Sequence, residues 1–438
     1  VVSTQSTGLM REVINVHVGK AGVQLGACCW DLFCLDHGVK QDGTTELGED
    51  DCISSFFNET YNKHVPRAVF SDLEPEDIDE VRTRYKSLLQ PEQLLCSKES
   101  GDGVFARGHG AVGQRLMEHV LAQTRRLAED CDSLQGFILY RALGGGSGAG
   151  LGSLLLENLG EFGKLTTLEA AVIPSSQPID VYNSLFALQK SKEFADLTFT
   201  FENSQFSQIF DRILGEDNAK FANFNRLMAR QIVLATSQLR FLTSVPDQIL
   251  MKDFASKLAP YPGAHFLELG FAPLISSNST WQPMTLSEIS HDSQDPSITS
   301  LKIPKQIRQN AKLMSLAFQY RGDVTPRDVN QFTANLKEKK TVKLVDWCCS
   351  GPFCSIVFKP SPHILGDFVK FNRNCLSMQN STAFGQKMQE MGSKFDLLFC
   401  KKMYVHFFGK EGMEESQFVE AREDIAGLTA DYDEIKNE

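Results

Sequence analysis

A glycine-rich loop between two apolar segments is the feature that most constrains the fold of this chain. Residues 144–150 are Gly-Gly-Gly-Ser-Gly-Ala-Gly; they follow the apolar run 137–140 and lead into a helical pattern of leucines at 151–159. A strand, a glycine loop and a helix in this order aim backbone N–H groups at phosphate. Glycine is needed because the backbone must approach the phosphate oxygens in conformations that a Cβ atom would block. The loop is therefore a candidate nucleotide-binding loop.

The alternatives are a flexible linker and a phosphate loop of another class. Linkers seldom lie between a buried strand and a helix that starts at once, which favours phosphate binding. No Gly-x-Gly-x-x-Gly register fits residues 144–153, and no Gly-Lys pair is followed by Ser or Thr. The dinucleotide fingerprint and the Walker loop are therefore both absent.

Length, charge and cysteine usage limit the class of protein. The chain of 438 residues is long enough for two or three domains, and its net charge of -11 works against attraction to nucleic acid or anionic lipid. Eleven cysteines without a C-x-x-C pair, and nine histidines without metal spacing, predict free thiols and no structural metal. Without signal-peptide or membrane-span patterns, we expect a cytoplasmic protein with no membrane or nucleic-acid partner.

Alternating strand and helix patterns predict an α/β fold. The pattern at 12–18 predicts a first strand, and Gly19 opens a helix that ends near Gly38. Further elements are predicted as strand 68–70, helix 111–130, strand 135–140, helix 151–159, strand 168–173, helix 181–195 and strand 197–201. Recurring βα units imply a Rossmann-like, mostly parallel sheet with helices on both faces. Ligands bind beyond the carboxyl ends of such strands, so the loops at 19–22, 71–75 and 144–150 should converge on one site.

A second region follows two predicted helices at about 221–243 and 247–257. Strand patterns predict a mixed α+β domain, with strands near 266–274, 312–320, 342–347 and 353–358. The predicted divisions are an N-terminal extension at 1–9, a nucleotide-binding domain at 10–214, connecting helices at 215–257, an intermediate domain at 258–382 and a helical region at 383–438. The last region contains an amphipathic helix with its apolar face at Phe418, Ala421, Ile425, Leu428 and Tyr432. Its acidic face is either solvated only or a docking surface for a basic partner.

Several motifs, taken in order, resemble tubulin. Besides the glycine loop they are Gly-Lys-Ala-Gly-Val-Gln at 19–24, Val-Phe-Ser-Asp-Leu-Glu-Pro at 69–75, Tyr-Arg-Gly-Asp-Val at 320–324 and Gly-Met-Glu-Glu at 412–415. The resemblance runs from Met10 to about Ile435. The segments that are more similar to the α chain than to the β chain are 345–348, 359–367 and 420–424. The chain is therefore identified as a divergent, α-like member of the tubulin family.

The resemblance implies a site for GTP and Mg²⁺. The residues that match nucleotide contacts of the family are Gly19, Lys20, Ala21, Gln24, Gly101, Gly144, Gly145, Gly146, Ser147, Gly148, Asp180, Asn203, Phe221 and Asn225. Asn203 and Asn225 match the pair that hydrogen-bonds guanine, and Phe221 matches the aromatic residue that stacks on it. Asp72 and Glu74 match acids near the phosphates and Mg²⁺, which prefers oxygen ligands.

Four departures from the family pattern concern this chemistry. Lys20 stands where the family has glutamine, and its ammonium beside the triphosphate would reduce the dependence on magnesium. Gly103 replaces an asparagine, and the segment 174–180 is about four residues shorter than the family loop. Asp253 matches the acid that an α chain offers to the GTP of the next β chain. It is one methylene shorter than the family's glutamate, which predicts slower hydrolysis.

Departures at the surface concern partners and modification. The lateral contact loop at 276–283 is unlike the family's, and Trp281 would either fill a neighbour's pocket or repack locally. Residues 43–52 carry no lysine, so the family's acetylation site is missing. The chain ends at residue 438 without a glutamate-rich tail.

The resemblance implies a GTP-binding structural subunit of microtubules in the cytoskeleton. It would pair with β-tubulin and polymerise head-to-tail. GTP would be hydrolysed at the site between dimers, whereas the GTP bound to this chain would not be hydrolysed. Lateral tubulin neighbours, motors and microtubule-associated proteins are further candidate partners. One alternative keeps the nucleotide site but caps or sequesters dimers, which the altered lateral loop and Asp253 motivate. Another, a metabolic enzyme using a different nucleotide, lacks a recognisable general base or nucleophile.

Overall fold

The computed structural model describes residues 11–45, 53–60, 63–174, 177–215, 219–241, 249–276, 284–339, 342–347, 351–362 and 369–437. The strands in these ranges are β1 (Glu12–Val18), β2 (Phe57–Thr60), β3 (Lys63–Pro66), β4 (Ala68–Asp72), β5 (Leu94–Cys96), β6 (Leu134–Ala142), β7 (Thr166–Ile173), β8 (Leu197–Glu202), β9 (Phe266–Ala272), β10 (Leu313–Gly322), β11 (Phe353–Val357) and β12 (Arg373–Ser381).

The α-helices of the described ranges are α1 (Gly19–His37), α2 (Pro75–Arg84), α3 (Phe105–His109), α4 (Ala111–Glu129), α5 (Gly152–Leu159), α6 (Pro178–Phe194), α7 (Asn203–Ile209), α8 (Phe221–Ala235), α9 (Ser237–Arg240), α10 (Met251–Leu258), α11 (Leu286–Asp292), α12 (Lys305–Asn310), α13 (Pro326–Lys339), α14 (Ala383–Phe399), α15 (Val405–Lys410) and α16 (Glu415–Asn437). Two π-helical segments are also present, at Gly145–Leu151 and Phe210–Leu214. None of these helices is long and apolar enough to cross a membrane.

One large, mainly parallel sheet organises the described part of the molecule. Its strand order is β5-β4-β1-β6-β7-β8-β9-β12-β10-β11, and β12 runs antiparallel to both of its neighbours. β8 and β9 share two registered pairs, Thr198 with Phe266 and Phe199 with Leu267. Because β1 lies between β4 and β6, the strand order reverses at β1, which is the point where sheets of this type bind ligands. The predicted α/β fold class is confirmed.

The sequence of β1 explains why both faces of the sheet carry helices. Every residue of the strand is buried. Val13 packs into a core with Trp30 of α1, whereas Ile14 and Val16 pack into another core with α4 and α5. Successive side chains of a strand point to opposite faces, so the apolar residues of this strand contribute to a core on each side of the sheet. Three polar residues of the strand are buried as well, and one of them, His17, accepts a hydrogen bond from the indole of Trp30 at 3.0 Å.

The predicted elements of the nucleotide-binding half are confirmed, and the corrections lie in the second half. The predicted strand at 342–347 is wrong, because these residues form only one isolated bridge, between Leu313 and Leu344. The predicted helix 221–243 is divided at Thr236 into α8 and α9. Strand β12 was not predicted, because Asn, Ser and Gln alternate with its apolar residues.

The C-terminal amphipathic helix is confirmed as α16. Its predicted apolar face, from Phe418 to Tyr432, is buried, and α16 packs on α6 and α14. Glu420 and Glu423 are exposed on its other face. Several predictions lie outside the described residues: the extension at 1–9, Trp281 of the lateral loop, Cys348 and the last residue.

Candidate functional site

Three loops meet beyond the carboxyl ends of β1, β4 and β6. Gly19 has a φ of +71°, and a Cβ atom there would lie 2.7 Å from the backbone nitrogen of Gly148. A Cβ atom on Gly146 would lie 2.4 Å from the carbonyl oxygen of Gly101, and one on Gly101 would lie 3.0 Å from Leu73. The start of α1, the glycine loop and the segments after β4 and β5 are therefore in direct contact, as the sheet order predicts.

The glycine loop forms a π-helical turn that continues into α5. Gly144 is extended, Gly145 has a φ of +74°, and the turn begins with the backbone groups of Gly145, Gly146 and Ser147. The first N–H groups of a helix lack partners within the helix and are suited to bind anions. A Cβ atom on Gly145 would meet nothing within 4 Å. The loop therefore places the start of a helical turn where phosphate is predicted, with the N–H of Gly145 already donated to Asp180.

Asp180 and Asn183 connect helix α6 to the loops. The Oδ1 atom of Asp180 accepts a hydrogen bond from the N–H of Gly145 at 3.1 Å. The buried Asn183 amide donates to the carbonyl of Gly103 at 2.8 Å and accepts from the N–H of Phe105 at 2.9 Å. Asn183 was not predicted as a site residue. Its position three residues after Asp180, on the same helix face, was the available signal.

The acidic side of the site contains Asp72 and Glu74. Asp72 is buried at the end of β4, and its Oδ2 atom has no hydrogen-bond partner among the described residues. Burial raises the pKa of Asp72 to about 6, although the hydroxyl of Ser147 and the nearby backbone act in the opposite direction. Glu74 precedes α2 and accepts a hydrogen bond from the hydroxyl of Ser100 at 2.8 Å.

Lys20 faces the first turn of α2 and not Asp72. Its Nζ atom lies 3.5 Å from Oδ2 of Asp77 and 3.9 Å from Oε2 of Glu76, and Asp77 is the main cause that raises the pKa of Lys20. Gln24 lies one turn further along α1 and donates to Oδ1 of Asp77 at 2.8 Å. Asp77, which was not predicted as a site residue, thus contacts both Lys20 and Gln24 in the first two turns of α1.

The donor set fits Mg²⁺ better than a metal held by protein alone. The described residues contain no group of three or more His, Cys, Asp or Glu side chains that could hold a metal ion. Mg²⁺ is usually bound by one or two carboxylates together with water and phosphate oxygens. The unpartnered oxygen of Asp72 and the carboxylate of Glu74 would supply such a ligand set once a triphosphate is bound.

The predicted base contacts lie on two neighbouring helices. Asn203 is the first residue of α7, directly after β8, and Phe221 and Asn225 lie one turn apart on α8. Phe221 is 67% exposed and touches Phe224 by an edge-on contact of 5.9 Å between ring centroids. Helix α8 packs on α1, whose first turn also carries Ala21. A face of the Phe221 ring is therefore free to stack on a base.

Asp253 lies at the opposite end of the sheet from the glycine loop. It is in the first turn of α10, and the neighbouring Met251 contacts Gly136 near the amino end of β6. The glycine loop begins after the carboxyl end of the same strand, eight residues later. At roughly 3.3 Å per residue this separation is about 26 Å. Asp253 therefore cannot act on a nucleotide bound to its own chain.

Comparison with known proteins identifies the family. The model of the Tubulin/FtsZ family GTPase domain matches residues 12–211, and the model of the tubulin C-terminal domain matches residues 262–393. The chain belongs to the tubulin family. It is also 40% identical over 441 residues to the tubulin alpha-2B chain of Physarum polycephalum, with 97% of each chain covered. This tubulin-family chain is therefore α-like.

Most of the predicted site residues lie within the matched GTPase domain. The matched GTPase domain extends from β1 to α7, so it contains the glycine loop, Asp72, Asp180 and Asn203. The matched domain makes this chain a GTP-binding protein. Phe221, Asn225 and Asp253 lie between the two matched segments. The individual roles of all these residues stay predictions.

Proposed function

We propose that this chain is the α-type subunit of a tubulin heterodimer, binds GTP without hydrolysing it and assembles head-to-tail with β-tubulin into cytoplasmic microtubules. The observation that carries the proposal is the contact of three loops around a glycine turn, at the reversal of strand order in a GTPase domain. The proposed GTP contacts are the glycine loop and Gly101 for phosphate, Asp180 for ribose, and Asn203, Phe221 and Asn225 for guanine.

Exposed apolar side chains at both ends of the sheet support a head-to-tail arrangement. Phe221 and Phe407 lie on the side of the glycine loop, where α15 packs on α3. Leu250 and Trp347 lie at the other end, next to α10 and to the bridge that Leu344 forms with the start of β10. Aromatic side chains such as Phe and Trp are enriched at protein–protein interfaces. Two such surfaces at opposite ends suit a chain with a partner on each side.

Asp253 is the proposed catalytic residue for the GTP of the next β chain. Water attacks the γ-phosphorus, the bond from that phosphorus to the bridging oxygen breaks, and the carboxylate of Asp253 accepts the proton of the water. The 26 Å estimated between Asp253 and its own glycine loop explains why GTP on this chain would persist.

The length of the acidic side chain should limit the rate of hydrolysis. We expect Asp253→Glu to release phosphate faster than the parent chain during assembly with β-tubulin, because the longer side chain brings the carboxylate nearer to the water. Asp253→Asn should slow the release. Asp130→Glu is an exposed substitution after α4, which packs on the opposite face of the sheet from α10, and it should leave the release unchanged. No gain from the glutamate would contradict the assignment.

The nucleotide retained by the purified heterodimer tests the proposal directly. The complex is incubated with excess GDP, freed of unbound nucleotide by gel filtration, denatured and analysed by chromatography. GTP that survives this exchange supports a buried, non-hydrolysing site on this chain. A complex that keeps no GTP contradicts the proposal, and a retained adenine nucleotide would revive a different enzyme class.

Sedimentation with polymer separates the proposed subunit from a capping or sequestering protein. The shorter acid at 253 motivates that alternative, because it weakens the contribution of this chain to the next site. A heterodimer that pellets in proportion to total polymer supports the subunit. One that keeps its GTP but remains in the supernatant and lowers total polymer supports the alternative.

A further inference from the structure

A cavity of about 690 Å³ opens between α6, α7, α14 and the segment 296–305. Its volume lies in the range of pockets that hold small ligands. Pro174 and Asp180 form the wall that it shares with the glycine loop, whereas the predicted base contacts Asn203, Phe221 and Asn225 are not part of its lining. The cavity is therefore adjacent to the GTP site but separate from it.

The cavity is lined by five basic and three acidic side chains, and the acidic ones already have partners. They are Arg212, Lys302, Lys305, Lys387, Lys394, Asp180, Glu202 and Glu390. The buried Glu202 accepts from Nζ of Lys387 at 2.9 Å and from the backbone N–H of Lys302 at 3.1 Å. Glu390 accepts from Nζ of Lys394 at 2.8 Å. Asp180 is hydrogen-bonded to the glycine loop.

Three cations remain without an ion pair in the part of the chain that the structure describes. They are Arg212 in the π-helical segment after α7, and Lys302 and Lys305 in the segment 296–305; all three are exposed to solvent. The hydrogen bond between Glu202 and the backbone of Lys302 joins this segment to the end of β8. Apolar side chains, including Ile173, complete the lining. Lys302 also interacts electrostatically with Glu390, but the positive charges in the lining outnumber the negative ones. A bound anion would relieve the repulsion among the cations.

We propose that this cavity binds a small multivalent anion, with two or more phosphate or carboxylate groups, independently of GTP. Arg212 supplies a planar group that pairs with two oxygens of phosphate or carboxylate, and the two lysines supply point charges. The apolar lining accommodates the uncharged body of such a ligand. The inference goes beyond the proposed function, because neither GTP retention nor assembly depends on it.

Calorimetric titration of the GTP-loaded heterodimer with inorganic triphosphate and, separately, with citrate tests the site. We expect saturable binding of at least one probe, and the tighter of the two distinguishes a phosphate ligand from a carboxylate ligand. Bound GTP is measured before and after each titration. Absence of saturable binding of both probes, or release of GTP in proportion to the probe bound, overturns the proposal.

A charge-reversal pair assigns the binding to this cavity. The double variant Lys302→Glu with Lys305→Glu should weaken binding by about tenfold or more, because two charge-assisted contacts are lost. Lys86→Glu with Lys164→Glu makes the same change of net charge at exposed positions away from the cavity, and should leave binding unchanged. Equal weakening in both variants would mean non-specific attraction and overturn the proposal. Gel filtration and retained GTP report whether each variant still forms the loaded heterodimer, so failure of the proposed function is seen separately.

Discussion

Lys20 places a positive charge beside the contact between α1 and the glycine loop. Its ammonium lies near the carboxylates of Glu76 and Asp77, and its side chain is 60% exposed. These carboxylates would otherwise repel a triphosphate bound at the loop. We therefore predict that Lys20 takes over part of the charge that Mg²⁺ would neutralise.

Removal of magnesium tests this role of Lys20. We expect the parent heterodimer to retain its non-exchanged GTP in the presence of a chelator, and Lys20→Gln to release it, because the variant has only the metal to offset the phosphate charge. The measurement is the GTP that remains after chelation and gel filtration. Lys86→Gln serves as the control. Prompt release from the parent chain would disprove the idea.

His17 is a buried neutral base below the site. Burial lowers its pKa to about 3, and Nε2 accepts the hydrogen bond from Trp30. The pKa of this histidine in the unfolded chain is roughly 6.5. Between pH 6.5 and pH 3, the unfolded chain therefore binds a proton at His17 that the folded chain does not bind. The contribution of His17 to stability is therefore complete above pH 6.5 and is lost progressively as the pH falls towards 3.

The pH dependence of unfolding should reflect this residue. We expect the free energy of unfolding to fall by up to about 1.4 kcal/mol per pH unit per such histidine below pH 6.5. His17→Gln, which keeps a hydrogen-bond acceptor, should flatten the slope in denaturant titrations between pH 7 and pH 5. The substitution His119→Gln, at an exposed histidine, should leave the slope unchanged. The slope should not vanish, because burial also lowers the pKa of His37 and His265. Identical slopes for the His17 variant and the parent would argue against a neutral buried His17.

The convergence of the predicted loops followed from continuous motifs in the sequence, whereas contacts across long sequence separations could not be predicted. The glycines, Asp72 and Glu74 lie in short segments whose order defines the loops. The side chain of Asn183 donates a hydrogen bond to Gly103, which lies 80 positions earlier in the sequence. The carboxylate of Asp77 accepts a hydrogen bond from the amide of Gln24, 53 positions earlier. Such contacts exist only once the sheet has brought the loops together, so spacing in the sequence does not reveal them.

At the scale of single elements, α1 begins in a conformation that only glycine adopts without strain. Gly19 combines a positive φ with contact to Gly148, so a methyl group there would strain the backbone and displace the glycine loop. We expect Gly19→Ala to lower the free energy of unfolding by at least about 1 kcal/mol and to remove retained GTP.

Alanine at Gly160 is the matched control for this substitution. Gly160 has a φ of -57°, and a Cβ atom there would meet nothing within 4 Å. Gly160→Ala should keep both GTP and stability, measured by chromatography of released nucleotide and by denaturant titration. Retention of GTP by Gly19→Ala would contradict the close packing of α1 on the loop.

The errors of element prediction share a cause. Strand β12 is buried on both faces although it contains Asn374, Ser377, Gln379 and Asn380, because these side chains donate hydrogen bonds to other groups of the protein. The Asn380 amide, for example, donates to the carbonyls of Leu258 and Ala264. Hydrophobic periodicity assumes that polar residues face water, so it misses a strand whose polar side chains are satisfied internally.

At the scale of the whole molecule, a buried ionic cluster joins distant parts of the chain. Asp36 of α1 accepts hydrogen bonds from Arg240 of α9 at 2.8 Å and from Nη1 of Arg321, at the end of β10, at 2.8 Å. All three side chains are buried. Burial alone would raise the pKa of Asp36, but the two guanidinium groups lower it below its ordinary value.

Loss of this carboxylate should affect the stability of both halves. We expect Asp36→Asn to lower the free energy of unfolding by about 3–5 kcal/mol, because two guanidinium groups remain buried without a counter-charge. Asp396→Asn removes a half-exposed partner of Arg422 and should cost less than about 1 kcal/mol. Denaturant titration compares the two variants. Equal losses would show that the cluster is no stronger than a surface pair.

The distance between the glycine loop and Asp253 gives each copy of the chain a polarity. In a row of heterodimers joined through the two ends, all copies point the same way. One terminus of the row then presents a nucleotide-binding face, and the other presents the face that carries Asp253. Because addition at each terminus buries a different surface, the two termini of one polymer should grow and shrink at different rates.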